Sequence, residues 1–237
     1  MIKKGLLSYL VPEMLLLCLI EIGKCLGWSV MAVQILMYTA ILINTIIVAS
    51  RYVRLGPDRT KKPDQYLAFA LLATAAADIF LTLIGTDAVY LPGVILFCLV
   101  QVIYALYLRS GMKLLLIRIA LFAVCLLVLK KAGILNLANA MGVLDLSLLL
   151  VNMVISWTSA NANTPLLFRI GITLFLCCDL FIALRSFTSG GLHDVIDFFV
   201  WIFYIPSQAA ITLAYLIRTY QKEPVPADDF PNAGLSG

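Results

Sequence analysis

Two aspartates stand where hydrocarbon is expected to surround them. Asp78 lies in an apolar run over 66–85 and Asp179 in another over 165–186. Asp78 is about twelve residues into its helix, roughly 18 Å at 1.5 Å per residue, so its side chain cannot stretch to water. An ionisable group at that depth costs roughly 2.5–3.5 kcal/mol by insertion scales. The chemistry open to such a pair is proton transfer, one carboxyl acting as acid and the other as base or charge stabiliser. Thr74, Asp78 and Thr82 are spaced i, i+4, i+8 and fall on one helix face. Asp197, Trp201, Tyr204, Gln208, Thr212 and Tyr215 make one continuous polar and aromatic stripe. Pro206 removes a backbone hydrogen bond beside Gln208 and predicts a kink there. Gln101 and Tyr104 share a face, as do Asp145, Asn152 and Ser156. These faces read as the lining of an internal cavity. The plainer alternative is interhelical hydrogen bonding, but each such bond is worth under about 1–2 kcal/mol, which hardly justifies burying two ionisable groups.

Other chemistries lack their residues. No GxSxG, HExxH or phosphate-cradling glycine loop is present, and the one histidine, His193, falls in a connection. If the chain is an enzyme, its acid and base are therefore carboxylates. Cys18, Cys98, Cys125, Cys177 and Cys178 lie inside apolar runs, Cys25 ends one, and none forms a CxxC pair. They read as small buried hydrophobes, and neither a metal nor a cofactor is expected.

The elements that must position these groups follow from composition. Of 237 residues, 62% are hydrophobic and 13% charged, with a mean hydropathy of +1.02. A soluble domain carries about twice that charge. Unbroken apolar runs such as 35–49 select helices over a barrel. Spans are expected near 6–26, 30–50, 66–85, 91–109, 113–131, 140–158, 165–186 and 195–218. The fold class is thus all-α, a single membrane domain of eight transmembrane helices over 1–220. The polar stretch 51–65 is its longest connection, and 221–237 reads as a disordered tail.

Eleven basic residues flank the ends on the side of the N-terminus, namely Lys3, Lys4, Arg51, Arg54, Arg59, Lys61, Lys62, Arg109, Lys113, Arg218 and Lys222. Four flank the other side: Lys24, Lys130, Lys131 and Arg185. That bias places both termini in the cytoplasm, in a cell membrane, and accounts for the net charge of +4 without nucleic acid. Glu13 is near enough its helix start to be hydrated, and Glu21 can pair with Lys24. Arg118 and Arg169 could hold a phosphate or reach toward anionic lipid.

The halves 1–110 and 111–220 carry similar signals. Ala77-Asp78-Ile79-Phe80 is echoed by Cys178-Asp179-Leu180-Phe181, Gln101 by Gln208, and Tyr107-Leu108-Arg109 by Tyr215-Leu216-Ile217-Arg218. Four helices per half is an even number, so such repeats would run parallel.

At these residues the sequence resembles the YhhN-like family of multi-pass membrane proteins, whose animal members are lysoplasmalogenases. The family's counterparts here are Ala77-Asp78, then Phe97 to Tyr104, then Gly171 to Ala183 with Phe175 and Asp179. The last is Trp201 to Gln208, read as Trp-Ile-Phe-Tyr-Ile-Pro-Ser-Gln. Ala77 stands where the family usually has Gly, and Gln101 where a His is common. The resemblance implies hydrolysis of the vinyl ether of a lysoplasmalogen to a fatty aldehyde and a glycerophospho-alcohol. On that reading Asp78 and Asp179 are the acid and base. Gln101, Tyr104, Tyr204, Gln208, Thr74 and Thr82 position substrate and water, and Trp201 lines the chain-binding cavity. The partner is a lysophospholipid or similar lipid within the bilayer. The rival expectation is a proton-coupled transporter or a lysolipid-binding protein without hydrolysis, since buried carboxylates also mark carriers. Against it, Pro206 has no counterpart near Gln101, so matched broken helices are missing.

Overall fold

The computed structural model describes residues 2–56, 60–158, 164–185 and 187–220. Eight α-helices account for most of them: α1 (Ile2–Cys25), α2 (Val30–Leu55), α3 (Lys62–Asp78), α4 (Asp87–Tyr107), α5 (Met112–Lys131), α6 (Leu137–Thr158), α7 (Leu166–Arg185) and α8 (Gly191–Tyr220). A π-helical turn over Ile79–Ile84 continues α3. Among the described residues, six spans are long and apolar enough to cross a membrane: α2, α3 with its π turn, α4, α6, α7 and α8. The 24 residues of α1 and 20 of α5 are of comparable length, and their place as spans rests on the sequence.

Helix ends reach further into polar sequence than hydropathy suggests. The expected connection over 51–65 is mostly helical, because α2 runs on to Leu55 and α3 starts at Lys62 with Pro63 in its first turn. A proline is harmless there, since that N–H has no helical partner. Gly56, with φ 73°, ends α2 by donating its N–H to the Tyr52 carbonyl. Residues 57–59 and the expected disordered tail 221–237 lie outside the described residues.

The centre of the bundle is α8. Its most apolar stretch is 72% buried, against 44% or less in the other spans, and it packs against α1, α2, α3 and α7. The closest approach is to α7, at Gly171. A Cβ on Gly171 would fall 2.6 Å from Ile211 Cγ1 and 3.0 Å from the Ser207 carbonyl oxygen. The pairs α3–α4 and α7–α8 are the most extensively packed; α4 also meets α6, and α8 meets α2, while α5 packs on α6 alone among the described helices.

Charged side chains close both ends. At the far end from the termini, Lys24 Nζ lies 3.2 Å from Glu21 Oε1 and 2.9 Å from Asp197 Oδ2. Arg185 Nη1 lies 2.5 Å from Asp197 Oδ1. Asp197 therefore ties α1, α7 and α8 together at the rim and is not part of an internal stripe. At the end of the termini, Arg218 Nε meets Asp64 Oδ1 at 2.7 Å. Arg51, expected in a loop, is buried; it donates to the Thr219 carbonyl oxygen at 3.1 Å and lies 3.9 Å over the Tyr220 ring.

The close approach at Gly171 generates a test. Gly171→Val is expected to destabilise by about 1–3 kcal/mol through overpacking, lowering the temperature at which the purified protein loses its monodisperse elution. Gly142→Ala, where a Cβ meets nothing within 4 Å, should leave that temperature unchanged or raised.

Candidate active site

Tyr204 of α8 reaches across to α3, where its hydroxyl donates to Asp78 Oδ2. Both side chains are buried. Phe175 of α7 packs edge-on against Tyr204 with ring centroids 6.0 Å apart, and Trp201 does so at 5.7 Å. Phe97 of α4 closes the far side of Phe175 at 5.7 Å. The buried Asp78 is thus bonded to a tyrosine whose ring is itself held in an aromatic frame. Asp78 is also the last residue before the backbone changes from α to π. The π turn closes with Gly85 N–H donating to the Phe80 carbonyl, one residue further round than an α bond. Single π turns inside helices frequently mark functional sites. They also break the 3.6-residue register. Thr82, expected on one face with Thr74 and Asp78, lies half-buried on the π turn, and among the described residues no hydrogen bond joins its side chain to the others.

Asp179 of α7 and Asp145 of α6 bring their carboxyls within interaction distance of each other. Two neighbouring carboxyls held away from water favour sharing a proton over both being ionised. Asp145 Oδ1 and Asp179 Oδ2 are buried, and among the described residues neither has a hydrogen-bond partner. Asp78 lies within electrostatic reach of Asp179. Cys98 of α4 donates its thiol to the Met141 carbonyl at 3.5 Å and lies within reach of Asp145. Six to eight residues separate each of these aspartates from the far end of its helix, so the cluster is about 9–12 Å deep from that end. Three carboxyls from three helices, with a tyrosine from a fourth, are thus gathered in one buried cluster. In the sequence Asp145 shows only as a polar residue on its own helix; what makes it a partner of Asp179 is the packing of α6 on α7.

The remaining expected residues lie nearer the termini. Gln101 is fully buried, and Asn152 Nδ2 donates to its carbonyl oxygen at 2.8 Å and its Oε1 at 3.4 Å. Tyr104 packs edge-on against Phe168 at 5.5 Å with its hydroxyl turned toward Thr74. Thr74 itself donates to the Ala70 carbonyl at 2.9 Å. Gln208 is buried one turn from Tyr204 and donates to Ser207 Oγ at 3.4 Å. So Asp78, Asp179, Tyr204 and Trp201 come together, while Gln101, Tyr104 and Thr74 form a second layer. Glu13, expected to be hydrated, is fully buried between α1 and α2. Its Oε1 accepts from Asn44 Nδ2 at 3.0 Å, and the Asn44 carbonyl oxygen accepts from Tyr9. Among the described residues, no three His, Cys, Asp or Glu side chains are arranged to hold a metal ion.

Tyr204→Phe keeps the ring contacts and removes the donor to Asp78. It is expected to cost about 1–3 kcal/mol, the penalty of leaving a buried acceptor unpaired, read as a lower thermal unfolding temperature. Trp201→Phe, which removes no hydrogen bond, should shift it less.

Compared with curated proteins and with solved structures, the chain matches none. The family profile that does match spans residues 28–215, from the start of α2 to Tyr215 of α8, and covers every carboxyl of the cluster. A match over most of the chain, carried on a bundle of apolar helices around buried aspartates, makes this protein a member of the YhhN family.

Proposed function

We propose that this protein is a membrane-embedded hydrolase that cleaves the vinyl-ether bond of a lysoplasmalogen. The observation that carries the reading is the facing carboxyl pair Asp145–Asp179, with Asp78 within electrostatic reach of it. A vinyl ether is cleaved by protonating its β-carbon, which leaves an oxocarbenium ion at the α-carbon. Water then adds to that carbon and gives up a proton. The resulting hemiacetal breaks its bond to the glycerol oxygen and releases a fatty aldehyde and a glycerophospho-alcohol, with no net loss of protons. The first step needs a carboxylic acid held protonated away from water; the second needs a carboxylate to stabilise the cation and take a proton from water. A pair sharing one proton supplies both, in the manner of the two carboxyls of a glycosidase.

Within this reading Asp179 and Asp145 exchange the proton, and Asp78, oriented by Tyr204, offers negative charge to the developing cation. Phe175, Phe97 and Trp201 give an apolar lining suited to an alkenyl chain. Family membership supports the same reaction class. The excess of basic residues beside the termini supports a cytoplasmic position for both ends, in the cell membrane.

The test is aldehyde release from a lysoplasmalogen by the purified protein in nanodiscs, with an acyl lysophospholipid as control. Wild type should release aldehyde from the vinyl ether alone. Asp179→Asn and Asp145→Asn should each lower turnover by about 100-fold or more, the usual contribution of a positioned acid or base. A folded wild type that releases no aldehyde would sink the reaction. Proton-dependent solute uptake by the same vesicles would then favour the transporter.

A further inference from the structure

Arg118 of α5 is a buried cation without an anion. Only 5% of it is exposed, although it lies inside an apolar helix. Its Nη2 donates to Asn152 Oδ1 at 2.6 Å and its Nη1 to Ser110 Oγ at 3.0 Å. Both acceptors are neutral. Among the described residues no carboxylate pairs with it, and its Nε is buried without a partner. Removing a guanidinium from water is costly unless an opposite charge repays the lost solvation. The next group inward is also an orphaned donor, the Gln101 side-chain Nε2, on the residue that Asn152 holds. Gln101 is fully buried.

We infer that Arg118, Asn152, Gln101 and Ser110 form a phosphate-binding site between the ends of α4, α5 and α6. The guanidinium supplies charge and a planar fork matched to phosphate oxygens, and the amide and hydroxyl supply the remaining donors. Ser110, half-buried on the turn after α4, gives the site its opening toward the end of the termini. The ligand class is a phosphate ester. Asn152 and Asp145 are seven residues apart on α6, about 10 Å along its axis. A fully extended path from a phosphate oxygen through the glycerol carbons and the ether oxygen to the vinyl β-carbon covers a gap of that order. The site would therefore anchor the head group while the vinyl ether lies at the carboxyl pair. That last assignment rests on the hydrolase reading; the site itself rests on the unpaired guanidinium and orphaned donors.

The test uses binding without turnover. 1-O-Hexadecylglycerol phosphate, a saturated ether that cannot be protonated at a vinyl carbon, is titrated against the full-length purified protein beside phosphate-free 1-O-hexadecylglycerol. Wild type should bind the phosphorylated lipid at least about tenfold more tightly, the worth of a charge-assisted hydrogen bond. Arg118→Gln should abolish the preference and leave binding of the phosphate-free lipid unchanged. Asn152→Asp gives the guanidinium an internal anion. It should unfold no earlier than wild type, yet lose the preference too, so a folding defect cannot imitate the result. Millimolar inorganic phosphate competing with the phosphorylated lipid would show that the site takes phosphate itself; a preserved preference without competition would assign it to lipid-borne phosphate. Equal affinity for the two lipids in wild type, or a preference that survives in Asn152→Asp, overturns the site. Loss of aldehyde release with the preference intact counts against the reaction and leaves the site standing.

Discussion

A polar group held in hydrocarbon must find its hydrogen bonds inside the protein, since each one left unmade costs several kcal/mol. In this bundle that demand falls on α8. The most polar face of the longest helix is turned inward, and its side chains reach successive neighbours. Asp197 meets α1 and α7, Tyr204 meets α3, and Thr219 meets α2. Arg218 returns to α3 through Asp64. Each contact sets the height of one helix against α8, and the sum fixes where the carboxyls of α3 and α7 come to rest. The small residues around them complete the fit, with Ala77 on α3 fully buried and Gly171 allowing α7 to lie directly on α8.

Eight helices in order are legible in the apolar runs, because a chain in lipid has no other way to satisfy its backbone. Their ends are less so. Hydropathy stops at the first charge, whereas α3 begins at Lys62 and α2 continues through Arg51, whose charge is absorbed by α8. The stripe on α8 correctly marks Trp201, Tyr204 and Gln208 as facing inward, since a 3.6-residue period holds there. The same logic fails at Thr82, where an i→i+5 turn rotates the helix face. A local change of helical pitch leaves no clear trace in residue spacing.

Pairing across helices is what a single sequence conceals. Asp78 and Asp179 stand out by depth, and their proximity follows from packing. Asp145 is as deep, yet nothing in its own helix says that it meets Asp179. Glu13 errs in the opposite direction. Nearness to the end of its helix suggests hydration, but the side chain is buried and held by Asn44, which Tyr9 in turn bonds. Depth along one helix is a one-dimensional measure, whereas burial depends on neighbouring helices, which the sequence does not supply.

The two helix pairs at the margins of the bundle show how similar scaffolds can take opposite charges. In α1–α2, the buried Glu13 is held by Asn44 through its amide donor. In α5–α6, the buried Arg118 is held by Asn152 through its carbonyl acceptor. Glu13 and Arg118 are 105 positions apart, Asn44 and Asn152 are 108, and Asp78 and Asp179 are 101. An asparagine can serve either sign because its side chain carries both a donor and an acceptor. Asn44 thus meets an acid and Asn152 a base through opposite ends of the same kind of side chain. Of the two charges, Arg118 lies closer to water through Ser110, and it shares its asparagine with Gln101 on α4. A guanidinium stays charged in any setting, so on the Arg118 side a full charge meets only neutral acceptors among the described residues.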